Sequence, residues 1–310
     1  MKIVTLTANP CIDRTVWVDE FEKGGTNRAT KVAESINGKG INTSIAVKNL
    51  GYETLAVAIE YTDGESVGRY LSSIEINNAC VSTEGKLRVN TKIFDRANSD
   101  ITEINCKGYP VADGMAEKLE KKVLSVLTEG DVLIVSGSVP PGIESDFYRR
   151  LVVGARSNGA YVILDADGEL LSKGIEGCPD LIKPNRDELS RLCGGDVRDI
   201  DEAIEEARGI IAKGVGAVCI SFGGKGALYV TEDKAYWANS AKVRVKGTVG
   251  AGDSMVAGFA IGRINGYDPC KTFETAMAIA AGSVSLEGTE MCNQELYEQM
   301  RDLITVEELE

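Results

Sequence analysis

The sequence contains no histidine among its 310 residues. This absence excludes Ser-His-Asp and Cys-His catalysis, histidine-ligated metals and histidine pH switches. Any proton transfer that the chain catalyses must therefore use Asp, Glu, Lys, Tyr or Cys.

Long apolar runs and closely spaced cysteines are also missing. No apolar run reaches the ~18 residues of a membrane span, and the segment Met1–Thr7 is too short and too β-like for a signal peptide. The eight cysteines show no C-x-x-C spacing, which favours free thiols in a reducing compartment over a zinc or redox motif. We therefore expect a cytoplasmic protein without a membrane segment.

Positive charge is scarce, and the net charge at pH 7 is −13. Such a surface repels nucleic acid and anionic membranes, so we expect neither as a partner. Phosphate groups could still bind where basic side chains, Mg²⁺ and backbone N–H groups converge locally. The hydrophobic fraction of 43% and the charged fraction of 26% are ordinary for a globular protein.

Apolar strands alternate with amphipathic helices along most of the chain. Strands are predicted at Lys2–Thr7, Thr54–Ile59, Asp131–Ser136, Tyr161–Asp165 and Ala217–Ser221, and helices at Gly64–Ser73 and Met115–Leu127. This alternation predicts an α/β fold whose largely parallel sheet is covered on both faces. Ligands of such sheets bind beyond the carboxyl ends of the strands.

Two polar, β-rich segments interrupt this alternation. They are Arg14–Glu34 and Lys86–Lys107, where apolar and polar residues alternate as in Thr15-Val-Trp-Val18. We interpret the chain as a single domain, residues 1–310, with a small β-rich lid formed by approximately residues 13–35 and 86–108. We expect the lid to pair with that of a second copy, which predicts a homodimer.

The strongest chemical motif is the Gly-Ala-Gly turn before a late helix. Unpaired amides of Gly250, Ala251 and Gly252 at a helix N-terminus would bind a phosphoryl oxygen. The adjacent Asp253 could then act as general base. The alternative is that Asp253 only caps the helix. Neither a Walker A loop nor a dinucleotide fingerprint is present.

Two further segments could bind a charged ligand. Asn37–Asn42 places two glycines around Lys39 at a helix start, either as a loop around a polar ligand or as a flexible turn. Asn185 and Glu188 lie three residues apart and could share a helix face suited to hydrated Mg²⁺. The alternative for this pair is a capping box.

Three turns follow buried strands. Ser221–Ala227 is glycine-rich and could lie along nucleotide phosphates, or could simply connect a hairpin. Ser136–Gly142 and Asn9–Arg14 end strands where this architecture binds ligands, and Asp13 could accept hydrogen bonds from sugar hydroxyls. The alternative for both is ordinary turn chemistry.

In this order, the motifs resemble those of the ribokinase-like carbohydrate kinases of the PfkB type, from residue 1 to about residue 304. The closest matches are to the hexose-phosphate branch, in Asn-Pro-x-Ile-Asp, Gly-Lys-Gly-Ile-Asn, Ser-Gly-Ser-x-Pro-Pro-Gly and Lys-Pro-Asn-x-x-Glu-Leu. The resemblance implies a ribokinase-like α/β fold with a lid. It also implies phosphorylation of a hexose phosphate with ATP and Mg²⁺.

The resemblance implies roles for individual residues. The catalytic centre would be the base Asp253 with the amides of Gly250, Ala251 and Gly252. The sugar phosphate would contact Asp13, Arg28, Gly38, Lys39, Asn42, Arg88 and Ser138. Of these, Arg88 would hold its phosphate group, together with Arg28 from the same or the partner copy. ATP would lie against Lys183, Asn185, Ser221, Gly223, Gly226 and Ser283, and Mg²⁺ against Asn185 and Glu188.

The expected substrate is fructose 1-phosphate, with tagatose 6-phosphate and fructose 6-phosphate as alternatives. The sequence departs from the family pattern at Asn37, at Cys106–Lys107 and at Asp165–Gly168. A neutral-sugar or nucleoside kinase is disfavoured because the basic residues Arg28, Lys39 and Arg88 would lack a partner. A non-catalytic sensor is disfavoured because it need not retain a base at residue 253.

Overall fold

A computed structural model of the chain describes residues 1–98, 100–286 and 288–309. Its strands are β1 (Ile3–Thr7), β2 (Cys11–Val18), β3 (Lys31–Asn37), β4 (Thr54–Asp63), β5 (Asn77–Asn78), β6 (Val81–Lys86), β7 (Arg88–Asp95), β8 (Asp100–Ile104), β9 (Val132–Ser136), β10 (Tyr161–Asp165), β11 (Leu181–Ile182), β12 (Ala217–Ser221), β13 (Gly226–Thr231), β14 (Ala235–Asn239) and β15 (Val306–Leu309). Its helices are α1 (Lys39–Asn49), α2 (Val67–Ser73), α3 (Met115–Val126), α4 (Phe147–Ser157), α5 (Gly168–Ile175), α6 (Arg186–Cys193), α7 (Ile200–Ile211), α8 (Ala251–Ile264), α9 (Pro269–Val284) and α10 (Gln294–Arg301). None of the helices within these ranges is both long and apolar enough to cross a bilayer.

The main sheet has the strand order β15-β14-β13-β12-β11-β10-β9-β1-β4-β5, with β6 paired to β4. The strands from β12 to β4 in this order run parallel, and β13, β14 and β15 add an antiparallel edge. Apolar layers cover both faces. Because both faces are buried, β9 and β10 are continuous apolar runs, as the sequence predicted.

Most predicted elements appear within a few residues of their expected bounds, with two differences. The strand predicted to end at Ile59 continues to Asp63, because its second half pairs with β6. The helix predicted from Gly64 begins at Val67, because the Ser66 side chain accepts the Arg69 amide and caps it there.

The two polar segments form a separate four-stranded sheet in the order β3-β2-β7-β8. Strands β2 and β7 run parallel, and their register places Cys11 opposite Arg88 and Asp13 opposite Asn90. This pairing brings the start of the second segment alongside the turn that follows β1. The small sheet therefore stands at the carboxyl ends of the main parallel strands.

Candidate active site

A cavity of about 330 Å³ lies where the small sheet meets the ends of the parallel strands. Most of its lining comes from the sequence-predicted sugar and catalytic motifs. The lining residues are Cys11, Asp13, Asn37, Gly38, Lys39, Asn42, Arg88, Asn90, Val249, Gly250, Gly252 and Asp253. Residues more than 200 positions apart in the chain, such as Asn42 and Asp253, therefore meet in one site.

The N-terminus of α8 forms one wall of this cavity. Gly250 is the N-cap, and its φ of 79° lies in the left-handed region that favours glycine. Within the described chain, the amides of Gly252 and Asp253 donate to no protein acceptor. The prediction of a free Ala251 amide is wrong, because that amide donates to the Thr248 carbonyl at 3.4 Å, and the Ser254 amide makes the first helical bond to Gly250. Two free N–H groups at the positive end of the helix are suited to bind a phosphoryl oxygen.

The Asp253 carboxylate is almost fully buried, with 6% of its surface exposed. Its Oδ2 accepts a hydrogen bond of 2.8 Å from Nδ2 of Asn42 on α1. Its side chain does not cap α8, because the N-cap is Gly250, which makes no side-chain capping bond. The alternative of a purely capping aspartate is therefore wrong.

Asp165, at the end of β10, is buried between two lysines. Its Oδ2 lies 3.1 Å from Lys39 Nζ, and its Oδ1 lies 3.3 Å from Lys183 Nζ. Burial alone would raise the pKa of Asp165, but the two ammonium groups outweigh it and hold that pKa below the usual range. A Cβ built on Gly252 would lie 3.3 Å from Lys183 Nζ, so this cation stands beside the α8 N-terminus.

The Asp13 carboxylate is held by two donors from β7. Its Oδ1 accepts from Asn90 Nδ2 at 3.2 Å, and its Oδ2 pairs with Lys92 Nζ at 3.1 Å. Sequence reasoning missed both donors, and it treated Asp165 only as part of a departure from a family pattern. The alternation along β7 could have identified the donors, because Arg88, Asn90 and Lys92 share one face of the strand.

Arg88 joins the small sheet to the turn after β1. Its Nε and Nη2 donate to the Asn9 carbonyl at 3.3 and 3.0 Å, and its Nη1 donates to the Cys106 carbonyl at 2.7 Å. Ser138 lines an adjoining cavity that also includes Arg88. Arg28 is different, because it is exposed on the loop before β3 and lines neither cavity.

A cavity of about 320 Å³ lies between the start of α6 and the turn after β12. It is lined by Asn185, Arg186, Asp187, Ser221, Phe222, Gly223 and Lys225. The structure thus groups three of the predicted nucleotide residues, Asn185, Ser221 and Gly223. Lys183 lies instead beside Asp165.

The predicted Mg²⁺ pair is a capping box in this structure. Asn185 Oδ1 accepts the Glu188 amide, and Glu188 Oε2 accepts the Asn185 amide, both at 2.8 Å. The alternative of a capping box is therefore confirmed, and each side chain uses one oxygen to accept a hydrogen bond from a backbone amide at the helix start. No cluster of three or more acidic or thiol metal ligands occurs in the described ranges.

Two predicted nucleotide residues, Ser283 and Gly226, lie outside the lining of this cavity and make packing contacts. Ser283 is buried, and its Oγ contacts Ser254 Oγ at 2.7 Å and accepts the Cys292 amide at 2.8 Å. A Cβ on Gly226 would lie 2.1 Å from the Ala238 carbonyl, so strand packing requires this glycine. Neither residue lines the nucleotide cavity, because Ser283 packs α9 against α8 and Gly226 pairs β13 with β14.

The sequence matches the model of the pfkB family carbohydrate kinases over residues 6–296. The chain belongs to this family. It is 31% identical over 309 residues to the 1-phosphofructokinase of Bacillus subtilis, which covers 99% of this chain and 100% of that protein. Phosphofructokinase-2 of Escherichia coli, solved in complex with fructose-6-phosphate, has a TM-score of 0.90 and 25% identity, covering 97% and 98% of the two chains. The structure of its tetrameric inhibited form has a TM-score of 0.89 and 26% identity over the same shares.

The ribokinase-like fold and the carbohydrate-kinase activity expected from the sequence are therefore confirmed, and the protein is an ATP-dependent sugar kinase. Phosphoryl transfer depends chiefly on positioning and on stabilising the charge of the transferred group. The α8 amides, the ammonium of Lys183 and the carboxylate of Asp253 lie close together at the start of α8, an arrangement suited to both.

The activity of this kinase is expected to fall as the pH drops through about 6. Burial raises the pKa of Asp253 to about 6, and nearby Lys39 partly opposes this rise. Because a general base must be ionised, activity is present above that pH and is lost below it with a slope of one. The measurement is kcat at saturating sugar phosphate and ATP between pH 5 and 8.

The substrate's phosphate also titrates near pH 6, so an independent observation is required. A carboxyl band in the infrared spectrum of the free kinase should titrate near pH 6 and be missing from the Asp253→Asn variant. A kcat that stays constant down to pH 5 would contradict Asp253 as the base.

Proposed function

We propose that this kinase phosphorylates fructose 1-phosphate to fructose 1,6-bisphosphate, using ATP with Mg²⁺ in the cytoplasm. One observation carries the proposal: a single cavity contains a buried carboxylate beside free helix amides, a second carboxylate and an arginine, which are Asp253, Asp13 and Arg88. The name of the Bacillus subtilis relative supports the choice of sugar. All eight cysteines are free, which suits a reducing compartment.

In the proposed mechanism, Asp253 accepts the proton of the attacking sugar hydroxyl. Asn42 keeps the carboxylate oriented through its 2.8 Å hydrogen bond. The amides of Gly252 and Asp253 and the ammonium of Lys183 then bind the oxygens of the transferred phosphoryl group. Asp165 holds Lys39 on one carboxylate oxygen and Lys183 on the other, which fixes the position of both ammonium groups.

The nucleotide is proposed to lie along the cavity between Asn185 and the Ser221–Gly223 turn. Mg²⁺ would arrive bound to the ATP phosphates and neutralise charge there, since it retains water ligands and needs few protein oxygens. Glu188 follows Asp187, which lines this cavity, and it retains one carboxylate oxygen outside the capping box. It is therefore proposed to contact the hydrated ion through water.

The sugar is proposed to bind with its hydroxyls on Asp13 and its existing phosphate on Arg88. Two donors fix Asp13, so its carboxylate is oriented before the sugar arrives. We also propose a homodimer that pairs the two small sheets. The sheet exposes Val32, Ile101 and Ile104 by more than half of their surface, and the Escherichia coli relative forms a tetramer in one of its structures.

A substrate panel tests the proposal. Fructose 1-phosphate, tagatose 6-phosphate, fructose 6-phosphate, fructose and adenosine are compared with ATP and Mg²⁺ in a coupled assay of ADP release. We expect the highest kcat/KM with fructose 1-phosphate. A higher value for another phosphorylated ketohexose would replace the proposed sugar, and a preference for fructose or adenosine would overturn the hexose-phosphate assignment.

A further inference from the structure

Arg88 forms a wall between the catalytic cavity and a second cavity of about 410 Å³. The second cavity is lined on its polar side by Lys107, Ser138 and Asn105, and its described lining contains no carboxylate. A ligand that contacts Asp253 in the first cavity can therefore reach past Arg88 into a region of positive charge.

Arg88 alone offers few donors to an anion there. A guanidinium has five N–H groups, and three of those on Arg88 already donate to the carbonyls of Asn9 and Cys106. Two remain for a ligand. A phosphate dianion has three acceptor oxygens and needs further donors, preferably charged ones.

Asn9 holds two residues with further donors, Lys107 and Ser138, beside Arg88. Its Nδ2 donates to the Lys107 carbonyl at 3.0 Å and to Ser138 Oγ at 3.1 Å, while its own carbonyl accepts from Arg88. Since the Ser138 hydroxyl accepts from Asn9, its proton is free to donate to a ligand. Asn9 is 4% exposed, so the three residues around it are anchored to the rigid end of the main sheet.

The Lys107 ammonium makes no ion pair within the described chain, and its side chain is exposed. The backbone before it is fixed, because the Cys106 amide donates to Asn90 Oδ1 and the Cys106 carbonyl accepts from Arg88. A lysine with a positioned backbone and three unused donors therefore stands next to Arg88.

We propose that Lys107 is a specificity-determining residue, which completes with Arg88 and Ser138 a subsite for the phosphate that the sugar already carries. This inference rests on the proposed function. It assigns the phosphate to the 410 Å³ cavity and assigns the discrimination between phosphorylated and free ketohexoses partly to Lys107. The Cys106–Lys107 pair is also where this sequence departs from the family pattern, so the contribution of Lys107 is a property of this chain.

A third cavity of about 700 Å³ on the other side of Arg88 is the competing location. Lys107 lines it too, together with Lys86, but Asp63 and Glu65 also face it. Two carboxylates repel a phosphate dianion. The Lys86 ammonium lies over the Tyr109 ring, 5.3 Å from its centroid. Lys86 therefore supplies a matched control, because it has the same charge and lines only the disfavoured cavity.

The test compares Lys107→Met with Lys86→Met. Isothermal titration of fructose 1-phosphate without ATP, and steady-state kinetics with ATP, are expected to show Kd and KM raised about tenfold in Lys107→Met. The kcat and the KM for ATP should stay near the wild-type values. Lys86→Met should bind the sugar phosphate as the wild type does, and Lys107→Arg should retain most of the affinity.

Two results would overturn the inference: an unchanged Kd in Lys107→Met, or an equal loss in both methionine variants, which would place the phosphate in the larger cavity. The wild-type substrate panel separates this failure from a failure of the proposed function. If the panel favours another phosphorylated ketohexose, the same variants are titrated with that sugar. Thermal unfolding of each variant verifies that it is folded. Lys107→Met should not lower the unfolding temperature, because the Lys107 side chain is exposed.

Discussion

Replacing Asp253 with asparagine is expected to lower kcat by about two to four orders of magnitude, while both KM values stay near wild type. The amide keeps the shape and can still contact Asn42, but it cannot accept the proton of the sugar hydroxyl. The nearest other carboxylates of the described chain are already paired: that of Asp165 is bound by two lysines, and that of Asp13 by Lys92 and Asn90. The measurement is kcat at saturating substrates and pH 8.

The same substitution is expected to leave the fold intact or to stabilise it. Burial raises the pKa of Asp253 to about 6, so the folded protein at pH 8 holds an ionised carboxylate that the unfolded chain would solvate better. The ionised group therefore lowers the free energy of unfolding above pH 6, and a neutral amide removes that cost. Thermal unfolding at pH 8 measures this effect, with the exposed turn substitution Asp233→Asn as control. Near-normal turnover in a folded Asp253→Asn variant would refute the catalytic assignment.

The residues that sequence reasoning found in the catalytic cavity share a simple property. Each follows a strand end or opens a helix, and parallel strands bring such positions to one edge of the sheet. Asp13 lies near the start of β2, just after the turn that ends β1, and Lys39 and Asn42 lie in the first turn of α1, while Asp253 lies in the first turn of α8. Their position in the chain therefore predicts their place in space without knowledge of any side-chain contact.

The contacts that tune those residues could not be predicted in this way. The pairing of Asp165 with Lys39 and Lys183 joins three segments that are distant in the chain, and depends on which side-chain rotamers fill the space between them. The donors Asn90 and Lys92 reach Asp13 only because β2 and β7 pair in one particular register. Register between distant strands is set by the packing of the whole lid.

Residue type alone does not separate a ligand contact from a packing role. A glycine or serine near a nucleotide motif can serve backbone packing, as Gly226 and Ser283 do here. The Asn-x-x-Glu spacing of Asn185 and Glu188 fits a metal site and a capping box equally well, because both need two oxygens on one helical turn. Only the three-dimensional structure shows which side-chain oxygens accept hydrogen bonds from the backbone amides.

Removing the arginine side chain with Arg88→Ala is expected to raise KM for fructose 1-phosphate about a hundredfold, with a smaller effect on kcat. Charged groups that bind a desolvated anion contribute more than neutral ones, and truncating one leaves the anion without its counter-charge. The loss should be specific: KM for ATP stays near wild type, and the preference for fructose 1-phosphate over fructose largely disappears. Steady-state kinetics with both sugars measure it.

The substitution also leaves the carbonyls of Asn9 and Cys106 without their donor, so a structural effect must be separated from an electrostatic one. Arg88→Lys retains the charge but not the forked hydrogen bonds, and should recover part of the affinity. Arg96→Ala is the control, because Arg96 lies in the turn after β7 of the same small sheet, is half exposed and pairs only weakly with Asp19 at 3.7 Å. An unchanged KM for fructose 1-phosphate in a folded Arg88→Ala variant would mean that the phosphate binds elsewhere or that the natural acceptor is uncharged. Since Lys107 can interact with a phosphate only beside Arg88, the first of these outcomes would also remove the proposed subsite.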